Sequence, residues 1–551
     1  MRHGGQILVD QLRINGAKVA FTVPGESFLA ALDGLYDAGV QTIICRQEGG
    51  CSMMAEAYGK MTGTPGLCFV TRGPGLANAM AGLHVAQQDS TPMILFLGLP
   101  ALDTEDREAF QEVETKSLLG TFVKWVAVIR DIKRIPEYVS RAYHTALSGR
   151  PGPVVIGLPE DMLSAEADVV DAKPAVPIVV RPAPQTMATL ADALAKAERP
   201  IAIVGGPGWS PEAQRDLEAA SERLAFPVAS AFRYQDYFDN RHPNYIGCAG
   251  IGIDPKLQAA IRSADLLLVI GARMGEMTTQ GYTLLDIPNP KQTLVHVHPE
   301  PRELGSVYRA DMPVVASTAA FVSELQALNA PPKKSRDSWI KGLHDAAVAA
   351  LKPIPTPGKV QLEAVMHHVS DALPEDAVVT NGAGNYAAFL HRYFTYKQYR
   401  TCLAPTSGSM GYGLPAAIAA KIAHPSRTVV NFAGDGCFMM TCQELATCMQ
   451  YDLPIVTVVV NNGMYGTIRM HQEREYPSRV VGTRLTNPDF AAFAKSFGGH
   501  GETVLTTAEF PAALQRALAS GKPAIVEVRT DPEAISVRQT ITQLREQAQK
   551  K

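Results

Sequence analysis

No two cysteines in this 551-residue chain stand at Cys-x-x-Cys spacing. The eight cysteines lie at 45, 51, 68, 248, 402, 437, 442 and 448, and none joins histidine at zinc-ligand spacing. A disulfide framework and a zinc site are not expected; free thiols in a reducing cytoplasm are. Net charge is also small, with 51 Lys and Arg against 54 Asp and Glu, a balance of −3. That gives no electrostatic reason to expect nucleic acid or an anionic membrane as partner. Long apolar runs are missing. The strongest, 266–270 and 455–460, have the length of a strand and cannot span a bilayer. The opening MRHGGQILVDQLRINGAK lacks the apolar core of a signal peptide and reads as an amphipathic helix. No short-period solenoid repeat occurs.

What is present is globular: 46% hydrophobic and 19% charged residues. The length suggests roughly three or four domains. Residues 1–167 alternate helix and strand. Strands at 19–23, 42–45 and 66–71 run into Pro24-Gly25-Glu26-Ser27, Arg46-Gln47-Glu48-Gly49-Gly50 and Arg72-Gly73-Pro74-Gly75. Helices are expected over 28–36 and 52–62, with further strands at 93–98 and 154–158. The Pro-, Val- and Ala-rich stretch 168–185 reads as a linker. A second α/β unit spans 186–328, followed by a second linker at 329–334 and a helix at 338–351. A third α/β unit spans 358–532, and 533–551 forms a polar tail, helical or frayed. Each unit reads as a doubly wound parallel α/β domain. The first and third share an element order, a sign of duplication.

The third unit carries the most informative stretch. A strand at 427–432 enters Gly434-Asp435-Gly436, an amphipathic helix is expected with Met439, Leu445, Ala446 and Met449 on one face, and a strand at 454–460 ends on Asn461-Asn462-Gly463. In a parallel βαβ unit both turns lie at the same carboxyl edge. Asp435 offers a hard carboxylate oxygen, Asn462 an amide oxygen, and the chain beyond can turn the carbonyl of Met464 to the same point. Three such oxygens suit Mg²⁺, which keeps positions for phosphate and water. Gly434 and Gly436 would let a phosphate approach the backbone. Glu48, alone, reads as a turn acid or a helix N-terminal charge.

Several stretches occur together and in order: Glu48-Gly49; Gly73-Pro74-Gly75 with Asn78; Phe110-Gln111-Glu112; Ser148-Gly149-Arg150-Pro151-Gly152-Pro153; Gly408-Ser409-Met410-Gly411-Tyr412-Gly413; and the Asp435 and Asn462 turns. In order and spacing, over about 5–531, they resemble the acetolactate-synthase branch of the thiamine-diphosphate enzymes. The resemblance implies three domains: pyrimidine-binding, central and diphosphate-binding. It implies that Glu48 hydrogen-bonds N1′ of the aminopyrimidine and so assists loss of the thiazolium C2 proton. Met410 would sit under the bent cofactor, with Ser409 beside it, and the carbonyl of Gly408 would accept from the 4′-amino group. Gly384, Asn385 and Tyr386 would cradle the diphosphate, Asn385 donating to it. Asp435, Asn462 and the Met464 carbonyl would hold Mg²⁺, with Gly434, Gly436, Tyr465, Gly466 and Thr467 around them. Pro24, Pro74 and Asn78 would border the pyrimidine side. Gln111 would face the bound intermediate, and Phe110 would border the acceptor.

The implied reaction is decarboxylation of a 2-keto acid, then protonation to an aldehyde or attack on a second carbonyl. Glu48 and the magnesium site would come from different subunits, making the chain a homo-oligomer with its sites at the subunit interface. The alternatives are a non-ligating 2-keto acid decarboxylase of the benzoylformate type and a cofactor-binding homologue without turnover. A flavin or nicotinamide redox protein would need a Gly-x-Gly-x-x-Gly turn, which Gly205-Gly206-Pro207-Gly208 does not supply.

Departures from the family narrow this reading. Pyruvate decarboxylases carry His-His in the first domain; here the pair is His367-His368, on an expected surface helix of the third. Benzoylformate decarboxylases carry a His near the third strand end, where this chain has Thr71 and Arg72. Ligation is therefore favoured over simple decarboxylation. Biosynthetic acetolactate synthases seat FAD with RFDDRxTG; the equivalent here, Arg273-Met274-Gly275-Glu276-Met277-Thr278-Thr279-Gln280-Gly281, keeps only the first Arg and last Gly, so FAD is doubtful. The family has a small residue where Arg72 stands. Arg72 would pair with a substrate carboxylate, or else with Glu26 or Glu112.

Overall fold

The computed structural model describes residues 1–329 and 333–550. The first unit contains β1 (Arg2–His3), β2 (Val19–Thr22), β3 (Gln41–Ile44), β4 (Gly66–Thr71), β5 (Met93–Leu99), β6 (Trp125–Val128), β7 (Pro153–Pro159) and β8 (Glu166–Ala167). The second contains β9 (Pro200–Val204), β10 (Val228–Ala231), β11 (Tyr245–Ala249), β12 (Leu266–Ile270), β13 (Thr293–His298) and β14 (Met312–Val315). The third contains β15 (Val378–Asn381), β16 (Cys402–Leu403), β17 (Val429–Gly434), β18 (Val456–Asn461), β19 (His500–Val504) and β20 (Ala524–Arg529). They form three six-stranded sheets, plus an antiparallel ribbon of β1 and β8. Within the three sheets every pairing is parallel.

Parallel sheets covered by helices on both faces need strands apolar on both sides. β5, β7, β9 and β12 satisfy this, with every residue buried. The outer sheets have the same order, β3-β2-β4-β5-β7-β6 and β16-β15-β17-β18-β20-β19. The central order, β11-β10-β9-β12-β13-β14, reverses between β9 and β12, as in dinucleotide-binding folds.

The helix expected from residue 52 begins at Glu48 and runs to Thr62. Gln47 starts it early, because its side-chain oxygen accepts from the N–H groups of Gly49 at 2.6 Å and Gly50 at 3.1 Å. It packs on helix Gly413–Ala423 of the third unit, where small residues allow close contact. Across that seam Tyr412 donates to Glu56 at 2.5 Å and Thr406 N–H to Asp89 at 2.9 Å, while Lys60 pairs with Asp89. The sequence offered no sign of this buried charged cluster.

Two further expectations need correction. The amphipathic helix after Asp435 is not continuous: Asp435–Phe438 is one short helix, Cys442–Glu444 a 3₁₀ turn, and Leu445–Gln450 a second helix. The break arises where Thr441 leaves the helix to donate to the Gly411 carbonyl at 2.7 Å. The buried face is Glu444, Leu445, Thr447 and Cys448, while Met439 is 42% exposed. His367 and His368 are half-buried rather than superficial, packed on Tyr393 and Phe510. The first linker is extended but tethered, with Ala172 N–H on Gln11 and Val180 N–H on Ser317. Residues 330–332 of the second linker lie outside the described residues. The tail carries helix Ile541–Gln549. No described helix is long and apolar enough to cross a membrane.

Candidate active site

β17 and β18 are adjacent and parallel, so the turns after Gly434 and Asn461 meet at one sheet edge. Asp435 is 2% exposed. One of its oxygens accepts from Gly436 N–H at 2.9 Å. The other accepts from Gly463 N–H at 2.9 Å and from the Asn487 amide at 2.7 Å. The Asp435 carboxylate thus stitches the two turns together. Burial pushes its pKa up, because the ionised form is shielded from water. Four N–H and amide donors partly offset this, but among the described residues no cationic side chain does. A buried carboxylate short of positive charge, tied to the turn that carries Asn462, fits a hard divalent cation. The Asn462 side-chain oxygen meanwhile closes its own turn, accepting from Met464 N–H at 3.1 Å.

The two glycines also make room for aromatic rings. A Cβ at Gly434 would lie 3.0 Å from the Tyr386 ring, and one at Gly436 would lie 2.6 Å from the Tyr465 ring. The space above them is thus partly filled by tyrosines. Tyr386 is buried and takes part in a chain of bonds: Gly382 N–H donates to its hydroxyl at 3.1 Å, and the hydroxyl donates to Cys437 Sγ at 3.3 Å. Gly411 N–H, next to Met410, also donates to Cys437 Sγ, at 3.2 Å. The turns at 382–385, 408–411 and 434–437 are therefore one connected assembly. Gly384 has φ of 146° and precedes helix Asn385–Tyr393, whose first N–H groups point out of the turn. The Asn385 side chain does not point there. It donates to the Ile535 carbonyl at 2.8 Å and accepts from Thr467 Oγ1 at 2.9 Å. Two residues expected to touch the cofactor therefore bind each other, fixing helix Gly466–Glu475 to the first turn. Gly408 has φ of 70°, which aims the turn before Ser409 and Met410.

At the first sheet Glu48 is half-buried and accepts from the exposed Asn78 amide at 2.9 Å. Pro24 and Pro74 are exposed at the same edge. Glu444 of the third unit sets the height of this edge: its carboxylate accepts from Arg46 N–H and Gln47 N–H, both at 3.1 Å.

Arg72 opens helix Arg72–Asp89 with φ of 37°, a conformation few non-glycine residues adopt. Its guanidinium is buried, bound at 2.8 Å to Glu26 and at 2.8 Å to Glu160, beside the Phe110 ring at 5.7 Å. Glu26 is one of the partners anticipated, but Glu112 is not the other. The Glu112 carboxylate caps its own loop, accepting from Asp106 and Ala109 N–H groups at 2.8 Å each. Gln111 has φ of 62°, and its carbonyl accepts from Gly73 N–H at 2.9 Å. The Phe110–Gln111 loop is thereby docked on the Gly73-Pro74-Gly75 turn.

Sequence reasoning missed Asn487, Glu160, Glu444 and Cys437. Each acts through a contact with a distant segment; Cys437 directly follows the Gly434-Asp435-Gly436 turn, and the other three sit in no motif. At the central sheet Arg273 pairs with Glu303 at 3.1 Å, and Arg150 pairs with the same carboxylate at 2.7 Å. The Trp209 indole donates to the Gly205 carbonyl at 2.9 Å, and the Tyr237 hydroxyl to that of Gly206 at 3.0 Å.

Comparison with known proteins agrees with this geometry. Three family models match in order: "Thiamine pyrophosphate enzyme, N-terminal TPP binding domain" at residues 2–118, the central domain at 187–325, and the C-terminal TPP binding domain at 382–528. The chain is 30% identical over 540 residues to the acetolactate synthase isozyme 2 large subunit of Escherichia coli K12, covering 96% of each protein. It is 31% identical over 547 residues to the acetolactate synthase large subunit of Parasynechococcus marenigrum, covering 95% of this chain and 87% of that protein. A probable acetolactate synthase large subunit of Methanocaldococcus jannaschii is 29% identical over 548 residues, with 96% and 92% covered. With sheets, turns and matches in agreement, the chain belongs to the thiamine pyrophosphate enzymes, on their acetolactate synthase-like branch.

Proposed function

We propose that this enzyme uses thiamine diphosphate and Mg²⁺ to decarboxylate a 2-keto acid and joins the remaining fragment to a second carbonyl compound. The observation that carries the cofactor reading is the bond from Gly463 N–H to Asp435, which fixes the two ligand-bearing turns as one unit. Asp435, Asn462 and the Met464 carbonyl would hold the metal. The N–H groups at the start of helix Asn385–Tyr393 would receive the diphosphate. When bound, the cofactor supplies a carbon nucleophile and an electron sink for loss of carbon dioxide. Glu48 would keep a proton at N1′ of the aminopyrimidine, with Asn78 holding the carboxylate in place. Its half-open position in a single chain supports a homo-oligomer in which a second subunit's cofactor covers it. Ligation is supported by the Phe110–Gln111 loop, which is held against Gly73 at the first sheet's edge and would border a second substrate. Release of carbon dioxide from a panel of 2-keto acids tests the reading. It should require both thiamine diphosphate and Mg²⁺ and stop on chelation; no release from any of them would contradict it.

Arg72 already has a carboxylate on each terminal nitrogen, so negative charge exceeds positive in the trio. A third carboxylate, from substrate, would meet repulsion there. Arg72→Ala should therefore destabilise the fold by about 1.5–3 kcal/mol, the range for hydrogen bonds to charged groups. Its KM for the 2-keto acid should stay at the wild-type value. A melting temperature unchanged beside a raised KM would assign Arg72 to the substrate instead.

FAD is not part of the proposed cofactor set. Arg273, the one basic residue kept from the flavin-seating stretch, is engaged by Glu303. Purified protein is expected to show no flavin absorption. One flavin per chain, released on denaturation, would overturn this.

A further inference from the structure

A cavity of about 140 Å³ lies between the central and third units. Engineered cavities of about 150 Å³ accept a benzene-sized molecule, so a small organic ligand fits. Two arginines, Arg233 and Arg392, are among the residues that line it. Arg233 follows β10, has φ of 66°, and is 7% exposed. One terminal nitrogen donates to the Gly382 carbonyl at 2.9 Å, while Nε is buried without an acceptor. Arg392, on helix Asn385–Tyr393, is half-exposed as a residue but has a buried Nε without an acceptor. Among the described residues its guanidinium has only the Tyr393 ring, at 5.5 Å. Neither arginine has a carboxylate partner among the described residues. Burial pushes the Arg233 pKa down, and the Gly382 carbonyl and the Phe232 ring at 5.0 Å only partly make up for the lost water. The one acid in the wall, Asp254, caps Lys256 N–H at 2.9 Å and faces Arg538 at 3.9 Å. Ile246, Leu257, Phe394 and Val537 complete an apolar wall.

A buried charge is retained where something anionic completes it. We propose that this cavity binds a short-chain carboxylate, its anionic end between Arg233 and Arg392 and its alkyl end against Ile246, Leu257 and Phe394. The site is separate from the Asp435 and Glu48 edges, yet it touches the cofactor turn. The Gly382 carbonyl that Arg233 holds also accepts from the Asn381 amide at 2.7 Å, and Gly382 N–H reaches Tyr386. Occupancy is thereby linked to the turn proposed to receive the diphosphate, and linkage makes the effect reciprocal.

Calorimetric titration of the full-length protein with butyrate, and separately with inorganic phosphate, tests the proposal. Butyrate should bind saturably at one per chain and more tightly than phosphate. Arg392→Met should weaken it at least tenfold, while Glu48→Gln should leave it unchanged. If Arg392→Met fails to fold, Val537→Phe, which fills the cavity, should abolish binding. Absence of saturable butyrate binding, binding that survives both cavity variants, or phosphate binding as tight as butyrate would each overturn the assignment. The measurement needs no turnover, so its failure leaves the proposed reaction untouched.

Discussion

Asp435→Ala is expected to abolish saturable binding of thiamine diphosphate at millimolar Mg²⁺. Asp435 is the one charged group among the proposed metal ligands, and the diphosphate would be held largely through the metal. The substitution also releases Gly463 N–H and the Asn487 amide, so the turn after β18 would lose its tie to the turn after β17. A companion variant separates the two effects. Asn487→Ala removes one bond to Asp435 but keeps the carboxylate, so it should weaken binding without abolishing it. Calorimetry on both variants decides. An Asp435→Ala affinity within about tenfold of wild type, or about 1.4 kcal/mol, would remove the basis for a metal-held diphosphate.

Glu48→Gln should still bind the cofactor and yet lose C2 proton exchange by on the order of 10²-fold or more, the scale of acid–base assistance. The amide can accept from Asn78 as the carboxylate does, so the edge should keep its shape. It cannot exchange a proton with N1′, and that is the difference the experiment isolates. Exchange of the C2 hydrogen into deuterated water, followed by NMR on the holoenzyme, reads it directly. Wild-type exchange would reduce Glu48 to an acid favoured by its place at a helix N-terminus.

The site edges were legible in the sequence for a physical reason. Parallel strands covered on both faces are continuous apolar runs, and each run here stops at a polar or Gly-rich turn. Thr71, Gly434 and Asn461 are such stops, and the structure ends β4, β17 and β18 on them. What was not legible depends on contacts between distant segments. Asn487 reaches Asp435 across 52 residues, and Glu444 reaches the Arg46 backbone across 398. The spacing of Met439, Leu445 and Met449 suggests one helix, but Thr441 is drawn out by Gly411, 30 residues earlier. Nor does the sequence show that the Tyr386 and Tyr465 rings pack over Gly434 and Gly436. Arg72 stands out as unusual in the chain; its second partner, Glu160, lies 88 residues away and no pattern points to it.

The most direct test of the account is product analysis with isotopically labelled 2-keto acids, thiamine diphosphate and Mg²⁺, counting carbon dioxide and new carbon–carbon bonds together. For the donor that is turned over, the account predicts a 2-hydroxy ketone product formed in step with carbon dioxide. Carbon dioxide accompanied only by free aldehyde, with an acceptor carbonyl present in excess, would contradict ligation.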